Sequence, residues 1–130
     1  MSPIIQPDTS AALDLTASEP GVYHAKIIKA DFQMSKAGNP MVVPTFELTV
    51  NGRKKERRAF LVTSGEGSGQ FDQLLRACHM EELANAYKDP TATHPPFDTD
   101  TLVGQELDIQ VENDLYQGRK TDVLAVFLKA

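Results

Sequence analysis

Residues 21–32 read GVYHAKIIKADF, and the order of their apolar side chains does not suit a flat strand. Tyr23, Ala25 and Ile27 keep the period of two that puts alternate residues on one face, but Ile28, Ala30 and Phe32 continue in the opposite parity. A slip of one residue turns every later side chain to the other face, so the segment predicts a strand with a bulge or sharp bend near Ile28.

Downstream, residues 41–50 (MVVPTFELTV) set Val42, Phe46, Leu48 and Val50 on one face of a second strand. Pro44 implies an edge or a bulge there, because its nitrogen cannot donate to a ladder. Asn51-Gly52 is a two-residue hairpin signal, and residues 53–62 (RKKERRAFLV) read as a third strand with a highly charged start. The joint between the first two strands, SKAGNPM at 35–41, is longer than a hairpin requires. Its lysine and Asn-Pro pair read as a mobile basic loop of the kind that touches a ligand.

After TSGEGSG (63–69), Phe71, Leu74, Leu75 and Cys78 recur at i, i+3, i+4 and i+7, which is one face of a helix. Ser68 is its expected N-cap, with Asp72 near the positive end of the dipole. Met80, Leu83, Ala84 and Tyr87 repeat the spacing in a shifted frame, so the helix is expected to kink near His79 or to restart. KDPTATHPPFDTD (88–100) is a Pro-rich connection, QELDIQVEN (105–113) alternates as a fourth strand, DLYQG turns, and RKTDVLAVFLKA (119–130) supplies a fifth. Residues 1–20 lack periodicity and read as a disordered or loosely docked arm before a single domain at 21–130.

The resulting order is β-β-β-α-β-β. With a first strand that must bend, it matches the mainly β, five-stranded OB-fold barrel, in which that strand belongs to both halves. An open antiparallel sheet with a helix on one face is the alternative.

The net charge of −5 conceals an uneven distribution. Residues 21–62 carry eight cations against three carboxylates, whereas residues 63–113 carry two against ten. A strand-rich basic half therefore precedes an acidic middle. On an OB fold, ligands lie on strands two and three between the loops joining strands one to two and four to five. That placement selects Lys26 and Lys36, then Lys54, Lys55, Arg57, Arg58 and Phe60 on strand three, and Tyr116, Arg119 and Lys120 at the last hairpin. Cations that follow phosphates, with a ring on which a base stacks, are the minimum for binding single strands without sequence preference.

The runs PGVYHAKIIKADFQMSKAGNPM, LVTSGEGSGQFDQLLRAC, LVGQELDIQV and YQGRKTDVLAVFL resemble a family of small phage-encoded OB-fold single-stranded-DNA-binding proteins, encoded with replication and recombination genes. The likeness spans about residues 20–129. Its marks are Gly-x-Tyr-x-Ala-x-Ile at 21–27, Ser-Lys-x-Gly-Asn-Pro-Met at 35–41, Leu102-Val103-Gly104 and Tyr-x-Gly-Arg at 116–119. The resemblance implies a non-enzymatic protein that coats single-stranded DNA in replication or recombination. Its expected partners are single-stranded DNA, phage or host replication and recombination proteins, and a second copy of the chain.

Catalytic readings are weaker. SGEGSGQ lacks the Gly-Lys-Ser/Thr of a phosphate-binding loop, and Glu66 would repel a phosphate. Cys78, His79 and His94 do not converge as metal ligands, because neighbouring helical residues point apart and Cys78 lies on the apolar face. Asp98 and Asp100 read as caps before strand four. No cofactor, metal or membrane contact is expected, and neither a signal peptide nor a spanning segment is recognisable, which points to the host-cell cytoplasm. A single cysteine excludes an internal disulfide. The alternative function is a phage protein-interaction module, or an inhibitor of a host factor, acting through the acidic residues between Glu81 and Glu112.

Overall fold

The structure is a computed structural model and describes residues 4–9 and 17–130. Its strands are β1 (Gly21–Met34), β2 (Pro40–Val50), β3 (Arg53–Arg58), β4 (Leu61–Val62), β5 (Glu106–Tyr116) and β6 (Arg119–Lys129). Two helices, α1 (Gly69–Ala77) and α2 (Glu81–Lys88), lie between β4 and β5. The six strands make one antiparallel sheet in the order β3-β2-β1-β5-β6, with β4 beside β2. The architecture is thus mainly β, with an antiparallel sheet and short helices, and no hydrogen-bonded ladder joins β3 to β6.

The bend in β1 is where the parity of its sequence changes. Ile27 pairs with Phe46 and Lys29 with Thr45, which leaves Ile28 as the extra residue of a bulge. Below it, residues 21–26 pair with β5, and Ala25 and Lys26 pair with β2 as well; above it, β1 pairs with β2 alone. At the parting point the Ile27 amide donates to the Gln105 carbonyl at 2.9 Å and the Gly104 amide donates to the Ile27 carbonyl at 2.8 Å. Gly104 sits at φ +89°, a left-handed conformation that glycine adopts without a Cβ penalty. Ala25, Ile27, Phe46, Leu48, Leu107, Ile109 and Val111 are thereby buried in one core, where the Phe46 and Phe127 rings stack at 5.5 Å.

The expected third strand is two strands. Beyond Arg58 the Ala59 amide turns to the Pro44 carbonyl at 3.2 Å, and the ladder resumes only at Leu61, opposite Val42. Pro44 therefore marks a break between β3 and β4 rather than an edge, because β2 has neighbours on both sides. Asn51 and Gly52 both have positive φ, as a tight hairpin turn of this hand requires.

Both helices follow the spacing of their apolar residues. Phe71, Leu74, Leu75 and Cys78 are buried. The chain then reverses at His79, φ +60°, with the Met80 amide donating to the Leu75 carbonyl, so the second run restarts as α2. Ser68 precedes α1 without capping it, since its hydroxyl donates to the Gly65 carbonyl. Asp98 does cap, accepting from the Asp100 amide at 2.9 Å at the start of the 3-10 turn Thr99–Leu102. Burial pushes the Cys78 thiol up to about 11, away from thiolate chemistry.

The two end strands are managed by side chains. Gln73 accepts from the Phe127 amide at 2.7 Å and Gln70 donates to the Leu124 carbonyl at 3.1 Å, so α1 occupies the free edge of β6. Further down β6, Asp122 accepts from Arg57 Nε of β3 at 3.0 Å. It also accepts from the Ser18 amide at 2.7 Å, the Ser18 hydroxyl at 3.1 Å and Asn113 of β5 at 3.4 Å. The side chains of Arg57 and Asp122 are 13% and 2% exposed. Ser18, assigned to the arm before the domain, is thus buried against the sheet, and Arg57, expected at the interface, is largely buried against Asp122. Ile4 and Ile5 are exposed, whereas Leu13 lies outside the described residues. Among the described residues no helix is long and apolar enough to cross a membrane.

Replacing Asp122 by alanine removes the acceptor of Arg57 Nε and of the Ser18 amide and hydroxyl, and one of the two acceptors of the Asn113 amide. The loss is expected to be about 3 kcal/mol and to lower the melting temperature by about 10 °C. Thermal unfolding followed by circular dichroism checks this. Ser18→Ala, which leaves the ion pair intact, should cost about 1 kcal/mol.

Candidate nucleic-acid interface

The register decides which of the ten expected residues share a surface. Paired residues of adjacent strands point to the same face, and Phe46, Leu48 and Val50 of the core stand opposite Arg57, Lys55 and Arg53. Lys55 and Arg57 thus share the parity of the core, while Lys54 and Arg58 face outward with Glu47 and Glu56. The four strand-three cations do not form one stripe.

On the outer face, positive charge is largely met by negative. Lys26 stands between Glu47 on β2 and Glu106 on β5, and Lys54 lies 3.3 Å from Glu47. Lys29 pairs with Asp31 at 3.5 Å. Next to Lys26, both His24 ring nitrogens meet carboxylates, Nε2 with Glu106 at 3.0 Å and Nδ1 with Asp108 at 3.2 Å. Phe60, in the break between β3 and β4, is 57% exposed and alternates outward after Ala59, which packs against the core.

Lys36 lies in a turn at the far end of β1. That turn is ordered: the Ser35 amide donates to the Asn39 carbonyl at 2.7 Å and the Asn39 amide donates to the Ser35 hydroxyl at 3.0 Å. These bonds brace the loop expected to be mobile, and Tyr116, Arg119 and Lys120 are at the other end of the sheet. Gly21 at the start of β1 is level with Val111, and the β5–β6 hairpin runs on past it to a turn at Gln117 and Gly118.

The β2–β3 hairpin also turns at this end. From the Arg57–Asp122 pair, β3 and β6 run back in the same direction, four residues to Arg53 and three to Arg119. Arg53, Lys54 and Lys55 on one hairpin and Arg119 and Lys120 on the other therefore share one end of the sheet. Tyr116 pairs with Arg119 across the tip and is 66% exposed. Arg53 is the residue that site reasoning from sequence passed over; its signal is its place directly after the Asn51-Gly52 turn. Among the described residues no group of three or more His, Cys, Asp or Glu side chains is placed to hold a metal ion.

Hydrogen bonds to Glu106 and then to Asp108 raise the His24 pKa above its ordinary value, and the same contact lowers that of Glu106. A histidine raised on folding stabilises below its unfolded pKa, and the contribution disappears as pH rises through the folded value. His24→Gln should therefore narrow the stability difference between pH 5.5 and pH 8, by about 0.5 kcal/mol because the pair is half exposed. Urea midpoints at the two pH values measure it. No protein-family model and no curated protein matches this chain, so the interface rests on its own geometry.

Proposed function

We propose that this is a phage single-stranded-DNA-binding protein of the OB type, a sequence-nonspecific coat for DNA in replication or recombination in the host cytoplasm. The observation that carries the reading is the joint presentation of Arg53, Lys54, Lys55, Arg119, Lys120 and the exposed ring of Tyr116 by two neighbouring hairpins. Phosphates attract such cations by counterion release, and a base stacks on a ring whatever its identity. The strand order, the bent β1 and the Arg57–Asp122 bridge between the end strands support a barrel closed by side chains. A binding module, rather than an enzyme, suits a surface of cations and a ring without an assembled nucleophile and base.

Fluorescence anisotropy with labelled oligo-dT tests the reading. Affinity should fall with salt at a slope of about −3.5 if all five cations meet phosphates. Arg119→Glu with Lys120→Glu should reduce that slope by about 1.4. Tyr116→Ala should weaken binding about tenfold with the slope unchanged. Lys26→Ala should change little, since Glu47 and Glu106 already flank it. Absence of binding to oligo-dT at low salt, or affinity independent of salt, overturns the proposal.

A further inference from the structure

At the opposite end of β1 from the hairpin tips, a cleft of about 540 Å³ opens between the end of β1, the segment after β4, α1, α2 and residues 94–99. Its wall is aromatic. Phe71 meets Phe97 edge-on at 5.3 Å and Tyr87 at 6.4 Å, and His94 stands edge-on to Tyr87 at 5.9 Å. Two of these rings are anchored through their polar atoms. Tyr87 donates to the Pro95 carbonyl at 2.6 Å, and His94 Nε2 bonds the Asp89 carbonyl at 2.8 Å. Phe32 also lines the cleft, yet it is 62% exposed. A strand that bends at Ile28 carries Phe32 beyond the closed core, which leaves its ring accessible.

The chemistry of the wall selects the occupant. Among the described residues no Asp, Glu, Lys or Arg lines the cleft, so an ion would be desolvated there without a counter-charge from them. Aromatic faces favour a planar ring. Ser64 and Thr99 add hydroxyl groups, and among the described residues neither hydroxyl has a hydrogen-bond partner. A purely hydrocarbon ring would leave those hydroxyls without a bond where it excludes water, whereas a ring with a polar edge satisfies them. The volume lies in the range of small-ligand sites and accommodates one ring with its sugar.

We propose that this cleft binds a nucleobase, stacked on Phe32 with its polar edge toward Ser64 and Thr99. The base belongs to a single strand if the function proposed above holds, and to a free nucleoside otherwise; only the first source rests on that function. The cleft lies at the Phe32 end of β1 and the hairpin tips at its Gly21 end, and no residue belongs to both, so the cleft is a contact point distinct from the tips.

Two measurements test the site and its source separately. In the first, the ¹⁵N-labelled protein is titrated with thymidine, with adenosine and with N-acetyl-phenylalanine amide. Either nucleoside should shift the amides of Thr63, Ser64, Gly65 and Phe97, and Phe32→Ala should abolish the shifts without changing the melting temperature. Absence of nucleoside shifts, or shifts from the phenylalanine amide alone, overturns the proposal. In the second, Phe32→Ala should lower affinity for oligo-dT about tenfold at unchanged salt slope. Nucleoside shifts with undiminished oligonucleotide affinity overturn the strand as source. If the unaltered protein binds no oligo-dT while nucleosides still shift these amides, the proposed function falls and the cleft stands as a nucleoside site.

Discussion

The bulge at Ile28 is the constraint on which the sheet depends. A flat strand of 14 residues would put either the Tyr23, Ala25 and Ile27 set or Ala30 into solvent. One extra residue lets both face the same way and turns β1 away from β5 at Lys26, so two differently directed halves share a strand. The parting is fixed by two backbone bonds from Ile27 to the Gly104 and Gln105 segment. Gly104 can make its bond only from a left-handed conformation, which couples the start of β5 to the bend in β1.

A sheet bent this way brings its end strands near each other, and their free edges then need treatment. Along β6, Gln70 and Gln73 of α1 take up backbone groups that a neighbouring strand would otherwise use. Lower down, the Asp122 carboxylate gathers donors from β3, β5 and the segment before β1. A buried charge is costly unless it is fully bonded, and four donors to two oxygens meet that condition. The helix between β4 and β5 is thus an edge cover as well as a lid on the core. Ser18 likewise belongs to the folded unit.

Electrostatics on this surface are local. A protein of net charge −5 can still present a cationic end, because screening limits the reach of its acidic middle to about 8 Å at physiological salt. Where strands lie side by side, as around Lys26, cross-strand carboxylates neutralise cations pairwise. At hairpin tips there are fewer cross-strand neighbours. Arg53, Arg119 and Lys120 are exposed there, as is the ring of Tyr116, although Lys54 meets Glu47.

Periodicity alone determined much of this protein. The parity change located the bulge, the Asn51-Gly52 pair located a turn, the i, i+3, i+4 spacing located both helices and the restart at His79, and the core faces of β1, β2 and β5 followed from alternation. These are short-range properties, set by backbone sterics and by which face of a strand or helix is apolar. The break between β3 and β4, the role of Arg57 and the burial of Ser18 were not legible, because each depends on a partner at least 15 residues away: Pro44 for Ala59, Asp122 for the other two. In the same way, RKKERR announces a basic strand but not which cations face outward; that follows from its register against β2. The aromatic cleft is assembled from Phe32, Phe71, Tyr87 and Phe97, which only the folded chain brings around one space. Local sequence specified the elements and their apolar faces; long-range pairing decided which polar side chains became structure and which stayed at the surface.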